Sequence, residues 1–241
     1  MQLSKRLEKK AREMGAAYFG IADLAFAQRN SITEHEQAVI TEFPRAISVG
    51  VPLSSSIVDG ITAQSDIYAI KNYYFHVYEV TNPRINEITL CLTRIVEDEG
   101  YKAVPIPSSH TIDTDKLYGF FSHKMAASLA GLGWIGKSCL LITPDRGPRV
   151  RWGTILTDAP LILNEPFSGK SCGGCKLCVE ACPARAFTGN PFKPTEAREI
   201  RMDAEKCFKY LNDKRKNAVG VPACGLCVNI CPFGQKKKQA G

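Results

Sequence analysis

Cys172-Gly173-Gly174-Cys175-Lys176-Leu177-Cys178-Val179-Glu180-Ala181-Cys182-Pro183 is the stretch that decides how this chain is read. Its thiols recur at x2, x2 and x3 spacing and end on Cys-Pro. This is the bacterial ferredoxin run, in which three cysteines seat one [4Fe-4S] cluster and the fourth ligates another. A second run, Cys224-x2-Cys227-x3-Cys231-Pro232, brings three more thiols, and Cys207 stands 17 residues before Cys224. Crossing of the last cysteine of each run assigns Cys172, Cys175, Cys178 and Cys231 to one cluster and Cys182, Cys207, Cys224 and Cys227 to the other. Structural zinc is the rival for CxxC pairs. Two runs that both close on Cys-Pro favour iron and sulfide. Asp203 is placed to cap a helix that delivers Cys207, and glycines 173, 174 and 225 leave backbone N–H groups free to face sulfur.

Outward from this region the composition changes. Residues 166–241 carry 14 Lys+Arg against 6 Asp+Glu, and residues 1–165 carry 17 against 18, so the net charge of +7 sits in the cysteine-rich part. Such a surplus suits a polyanion, an acidic redox partner or compensation of anionic clusters. Lys236-Lys237-Lys238 reads as a solvated end. Eight of the ten cysteines lie beyond residue 166 without an export-type leader, which points to a reducing, cytoplasmic setting and to metal ligation rather than disulfides. No uncharged apolar run approaches the roughly 18 residues of a membrane helix, so no membrane partner is expected. Cys91 and Cys139, within apolar stretches, are expected to be core residues.

Residues 1–165 alternate helix and strand patterns. Leu3, Leu7, Ala11 and Met14 recur at helical spacing before Gly15, and Ile85, Ile88, Leu92 and Ile95 do so before Gly100. Residues 17–22, 46–51, 101–104, 139–143 and 150–156 read as strands, and 122–129 as a helix. The interleaving predicts a layered α/β (α+β) domain over 1–165 followed by a double-cluster, ferredoxin-like domain over 166–241.

Gly131-Leu132-Gly133-Trp134-Ile135-Gly136-Lys137-Ser138 satisfies the strings of both a phosphate-binding loop and a dinucleotide fingerprint. Both need a strand before the glycines and a helix after them. Here the order is reversed, so ATP and NAD are set aside. The glycines instead fit a helix stop and a loop that something bulky can approach.

Residues 130–137, Gly153-Thr154-Ile155-Leu156-Thr157-Asp158 and the cysteine runs together resemble the epoxyqueuosine reductase family and, more distantly, the reductive dehalogenases. The likeness runs loosely from Tyr18 to Phe233. It implies a nitroreductase-like corrinoid-binding domain that takes electrons from the two clusters, with cobalamin held by Gly133, Trp134, Ile135, Gly136, Lys137, Ser138 and Lys124. FMN is the alternative cofactor, since nitroreductase-like folds also bind flavin, and a carrier without a substrate of its own is the third reading.

In the family an aspartate thought to donate the proton lies 14 residues before the first glycine, and here that position is Leu117. Tyr118, Asp115 and Asp113 lie near enough to replace it, and His123 at the start of the helix is a further acid. The chain ends ten residues after Cys231, where the family continues into tRNA-gripping repeats. The expected partners are therefore a ferredoxin or flavodoxin as donor and a small molecule or a protein-bound corrinoid as substrate, with tRNA unexpected.

Overall fold

The structure, a computed structural model, describes residues 2–29, 34–169 and 171–235. The Lys236-Lys237-Lys238 run lies outside them. In chain order the elements are α1 (Gln2–Glu13), β1 (Tyr18–Asp23), α2 (Glu34–Glu42), β2 (Arg45–Pro52), α3 (Ser55–Asp59), α4 (Ile67–Tyr74), α5 (Asn82–Asp98), β3 (Ala103–Ile106), α6 (His123–Leu129), β4 (Trp134–Ile135), β5 (Leu141–Ile142) and β6 (Val150–Thr157). The cysteine-rich part adds α7 (Leu177–Glu180), α8 (Ala204–Lys209), α9 (Lys216–Val219) and α10 (Leu226–Asn229). Among the described residues no helix is long and apolar enough to cross a membrane.

Four strands form one sheet in the order β1-β2-β6-β3, and every neighbouring pair is antiparallel. The period of two along each strand sorts side chains between two cores. Ile21, Ile47, Val49 and Ile155 face α1 and α5, whereas Ala22, Ala46 and Leu156 face the side covered by α6. Helices thus cover both faces of the sheet.

On α5 the repeat seen in sequence becomes a buried stripe at Ile85, Ile88 and Leu92, and Val96 completes it in place of the half-buried Ile95, all four of the stripe at 0% exposure. Each such side chain contributes about 1.5–3 kcal/mol relative to staying in water. Gly153 on β6 admits α5, because an added Cβ would meet Ile85, Thr89 and Val49. On the opposite face Gly20 performs the same service for α6, where Ala130 takes the space.

The cysteine-rich part does not hang from a linker. Val219, Val221, Ala223 and Val228 share a core with Leu53, Val58, Ile70, Tyr73 and Val77. Arg149, 2% exposed, spans the join: its Nη1 donates to Asp59 Oδ1 at 2.6 Å and its Nη2 to the Asn229 carbonyl at 3.4 Å. The Asn229 amide donates to the Val58 carbonyl at 2.8 Å. The cysteine runs therefore rest against the same body that carries the sheet.

Cys139 is a core residue as expected, whereas Cys91 departs from that role. Cys91 is only half-buried on α5. Cys139 is buried but precedes β5 in a left-handed turn, φ +55°, rather than lying within a strand.

Candidate redox centre

Short helices present the thiols. Cys178 lies on α7, Cys207 on α8 and Cys227 on α10. Asp203 caps α8, its Oδ1 accepting the Lys206 N–H at 2.9 Å. Burial and then the charges of Cys172, Cys231 and Cys175 push the Cys178 thiol up to about 11. Burial and then Cys182 and Cys224 push Cys207 up to about 11. Cys227 is raised first by burial and then by Cys224, Cys207, Cys182 and, last, Cys178.

By these influences Cys172, Cys175 and Cys231 lie near Cys178, and Cys182 and Cys224 lie near Cys207, with Cys227 near both Cys207 and Cys178. Thiols that raise one another's pKa when crowded and buried become thiolates readily only when a cationic centre takes up their charge. Soft sulfur donors in fours suit iron–sulfur clusters. Among the described residues no three His, Cys, Asp or Glu side chains are gathered closely enough to share one ion.

The glycine loop is used differently from the sequence expectation. Gly131 (φ +76°) and Gly133 (φ +154°) are left-handed, and an added Cβ would strike the carbonyl oxygens of Glu165 and Ile142 respectively. Their bareness admits protein backbone rather than a cofactor. Gly136 faces Ile142 and the Cys172 sulfur. Trp134 Nε1 donates to Cys172 Sγ at 3.5 Å. Lys137 Nζ donates to the carbonyls of Gly173 at 2.7 Å and Cys175 at 3.1 Å. The loop grips the first cysteine run. Ser138 is buried at 5% exposure.

Two cavities lie beside it. One, of about 560 Å³, is walled by Tyr118, Phe120, His123, Lys124, Cys139 and Arg151 among others. The second, of about 510 Å³, has Trp134, Lys137, Phe167, Cys172 and Gly173 in its wall. Met125, Ile135, Phe192 and Pro194 belong to both walls. Gly133, Gly136, Ser138 and Asp115 line neither. Asp115 instead closes a turn, its N–H donating to Asp113 Oδ1 at 3.0 Å. Leu117, left-handed at φ +56°, occupies the wall where the resemblance places an acid.

Tyr118 and His123 are held in different ways. The Tyr118 hydroxyl donates to Glu199 Oε1 at 3.1 Å, and the Arg198 guanidinium lies 4.1 Å from the centre of its ring. Burial pushes the Glu199 carboxyl up, but a backbone N–H, Arg198 and Tyr118 outweigh it and hold it below the usual range. His123 has both ring nitrogens occupied, Nε2 against the Pro107 carbonyl at 3.1 Å and Nδ1 against Thr154 Oγ1 at 2.8 Å. Since a carbonyl can only accept, Nε2 carries the proton and Nδ1 takes the Thr154 hydroxyl. Burial, helped by Arg151 and opposed by the Pro107 carbonyl, pulls its pKa down to about 4. A neutral, doubly engaged imidazole is a support for the wall, not a free acid.

Sequence reasoning missed Arg198, Glu199 and Arg201. Arg201, 5% exposed, stacks 4.7 Å from the Phe192 ring centre and donates to Cys139 Sγ at 3.7 Å. The sequence signal for them was slight, a pair of arginines three apart among ordinary surface residues.

Comparison with known proteins follows this geometry. Residues 171–234 match the family described as 4Fe-4S double cluster binding domain. The epoxyqueuosine reductase of Pseudomonas aeruginosa is 30% identical over 128 residues, 49% of this chain and 33% of that protein. That of Synechocystis sp. is 30% identical over 173 residues, 67% of this chain and 53% of its own length. The chain thus spans about a third to a half of the length of these relatives.

Among solved structures, a catabolic reductive dehalogenase in complex with 3-bromo-4-hydroxybenzoic acid aligns with 95% of this chain and 31% of its own, at TM-score 0.69 and 21% identity. An epoxyqueuosine reductase with an epoxyqueuosine-modified tRNA-Tyr stem loop aligns with 97% of this chain and 65% of its own, at TM-score 0.63 and 17% identity. The expectation that sets tRNA aside is therefore corrected: relatives named for epoxyqueuosine are similar to this sequence over about half of it, and a protein of this fold is seen with a tRNA stem loop. Residues 171–234 match a 4Fe-4S double cluster binding domain, in a chain that is similar in sequence to epoxyqueuosine reductases and in fold to a reductive dehalogenase.

Proposed function

We propose that this chain is an iron–sulfur reductase in which residues 166–241 relay electrons through two [4Fe-4S] clusters to a corrinoid held by residues 1–165. The observation that carries this is the position of the first cysteine run beside two cavities with common walls, with Cys172 and Gly173 in the wall of one of them. The group built on Cys172, Cys175, Cys178 and Cys231 therefore adjoins the cavities.

Cavities of about 560 and 510 Å³ with common walls suit a ligand larger than either. Their aromatic and basic lining suits a macrocycle with polar arms. Trp134, Ile135, Lys137 and Lys124 would hold it. The dehalogenase of this fold is described as B12-dependent, which supports a corrinoid over a flavin. Bound there, a corrinoid would supply the reducing metal centre, while the clusters deliver electrons singly.

The chain's own part is to wall off water, to position the ligand and to provide a proton. Tyr118 is the proton source in this reading, because the residue lines the cavity while Arg198 and Glu199 hold its ring and hydroxyl. The substrate class to assay first is an epoxyqueuosine-bearing RNA, as the relatives' names indicate, and the basic surplus of residues 166–241 suits a polyanion.

Oxygen-free purification with iron analysis, followed by absorbance titration with hydroxocobalamin and with FMN, tests the cofactor. About eight irons per chain and a shift of the corrinoid band are expected. A flavin band without a corrinoid shift would replace the corrinoid by FMN, and no response to either would leave an electron carrier. Turnover of an epoxyqueuosine-modified stem loop with a chemical reductant, read by mass spectrometry, tests the substrate.

A further inference from the structure

We propose that the Trp134-Ile135-Gly136-Lys137 loop sets the reduction potential of one cluster, the one on Cys172, Cys175, Cys178 and Cys231, raising it so that electrons collect beside the cavities. The inference rests on the reading that the eight thiols hold clusters.

Trp134 Nε1–H donates to Cys172 Sγ at 3.5 Å. Its ring has little freedom to leave. Phe167 stacks on it at 5.4 Å and Phe233 meets it edge-on at 4.8 Å. Phe233 follows Cys231 and Pro232, so the fourth thiol of the same group lies on the segment that pins the indole. The β4–β5 hairpin, with Trp134 paired to Ile142 and Ile135 to Leu141, holds the loop at this distance. Gly136 completes the approach, since an added Cβ would come to 3.3 Å from the Cys172 sulfur.

Lys137 adds charge. It is 7% exposed, and its ammonium donates to the carbonyls of Gly173 and Cys175, the backbone of the same cysteine run. Among the described residues no carboxylate forms an ion pair with it. A buried cation without a counter-charge is costly. A cluster carried by four thiolates would provide the missing negative charge.

Reduction adds an electron to a centre that is already anionic. A hydrogen bond to its sulfur and a nearby ammonium stabilise the reduced form more than the oxidised form, which raises the potential. The string that resembles a phosphate-binding loop thus keeps a role for its lysine, toward a different anion.

EPR-monitored redox titration of the cluster-loaded full chain tests this. Trp134→Phe is expected to lower the midpoint of one cluster by about a tenfold change in its reduction equilibrium, ~59 mV for a one-electron couple, and to leave the other in place. Lys137→Met is expected to act in the same direction. A measurement without substitution stands beside them. In indole-15N-labelled protein the reduced cluster should show a nitrogen coupling from Trp134, since Trp152 is the only other tryptophan and belongs to β6. If Trp134→Phe loses its cluster, the isotope experiment decides. Loaded clusters with neither a selective shift nor a nitrogen coupling overturn the tuning role alone, whereas wild-type protein without iron would instead remove the reading beneath it.

Discussion

Protonating His123 should destabilise the fold in a pH window that the structure defines. In the native protein the ring is neutral, with Nε2–H on the Pro107 carbonyl and Nδ1 accepting from Thr154. Its pKa falls from 6.5 to about 4, chiefly through burial. Each unit is worth about 1.4 kcal/mol, so the difference between the folded and unfolded states amounts to about 3 kcal/mol. The sign follows from proton binding. Between roughly pH 6.5 and 4 the unfolded chain holds a proton on this residue that the native chain lacks, so stability falls as pH falls. Below about pH 4 the native ring is protonated too and this loss stops growing.

Histidine-selective NMR of the cluster-loaded protein should find one imidazole that stays neutral through pH 5. Urea unfolding of wild type and His123→Gln over the same range should show the variant less stable at pH 7.5, by about 1–2 kcal/mol for the lost hydrogen bonds. That gap should narrow steadily on acidification. A ring that titrates near 6.5, or a gap independent of pH, would falsify the assignment of His123 as a half-buried neutral support.

Cys175→Ser should lower iron from about eight to about four per chain while the corrinoid absorbance shift is retained, as iron analysis and titration will report. Tyr118→Phe should reduce turnover by about a hundredfold, the scale of a lost general acid, with corrinoid affinity unchanged; an unaltered rate would remove Tyr118 as the proton source. Gly131→Ala, which puts a Cβ against the Glu165 carbonyl in a left-handed conformation, should cost on the order of 2 kcal/mol or more, read as a lower thermal midpoint.

The parts legible in the sequence were those in which local spacing carries the physics. The cysteine spacings follow from the geometry of wrapping a cluster, so a double-cluster domain could be read before any fold was known. Asp203 as a cap of α8, the buried stripe of α5, the helix at 122–129 and strands within a residue or two of β1, β2 and β6 are likewise local matters of period and capping. The reversed order around the glycine loop was legible too: α6 precedes it and β5 follows it.

Only the tertiary structure decided where side chains from distant segments meet. That Gly131 and Gly133 make room for the Glu165 and Ile142 carbonyls depends on which backbone comes to lie there, and a glycine in a sequence says only that a Cβ is missing. The direction of the Trp134 N–H toward Cys172, the seat of Lys137 on the carbonyls of the first cysteine run and the Tyr118–Glu199–Arg198 clasp join residues about 36 to 81 positions apart. His123 reads in sequence as a free acid at a helix start, and becomes a neutral wall only when β6 brings Thr154 beneath it. Hydrogen bonds and close contacts between far segments are set by packing of the whole chain, which no local pattern encodes.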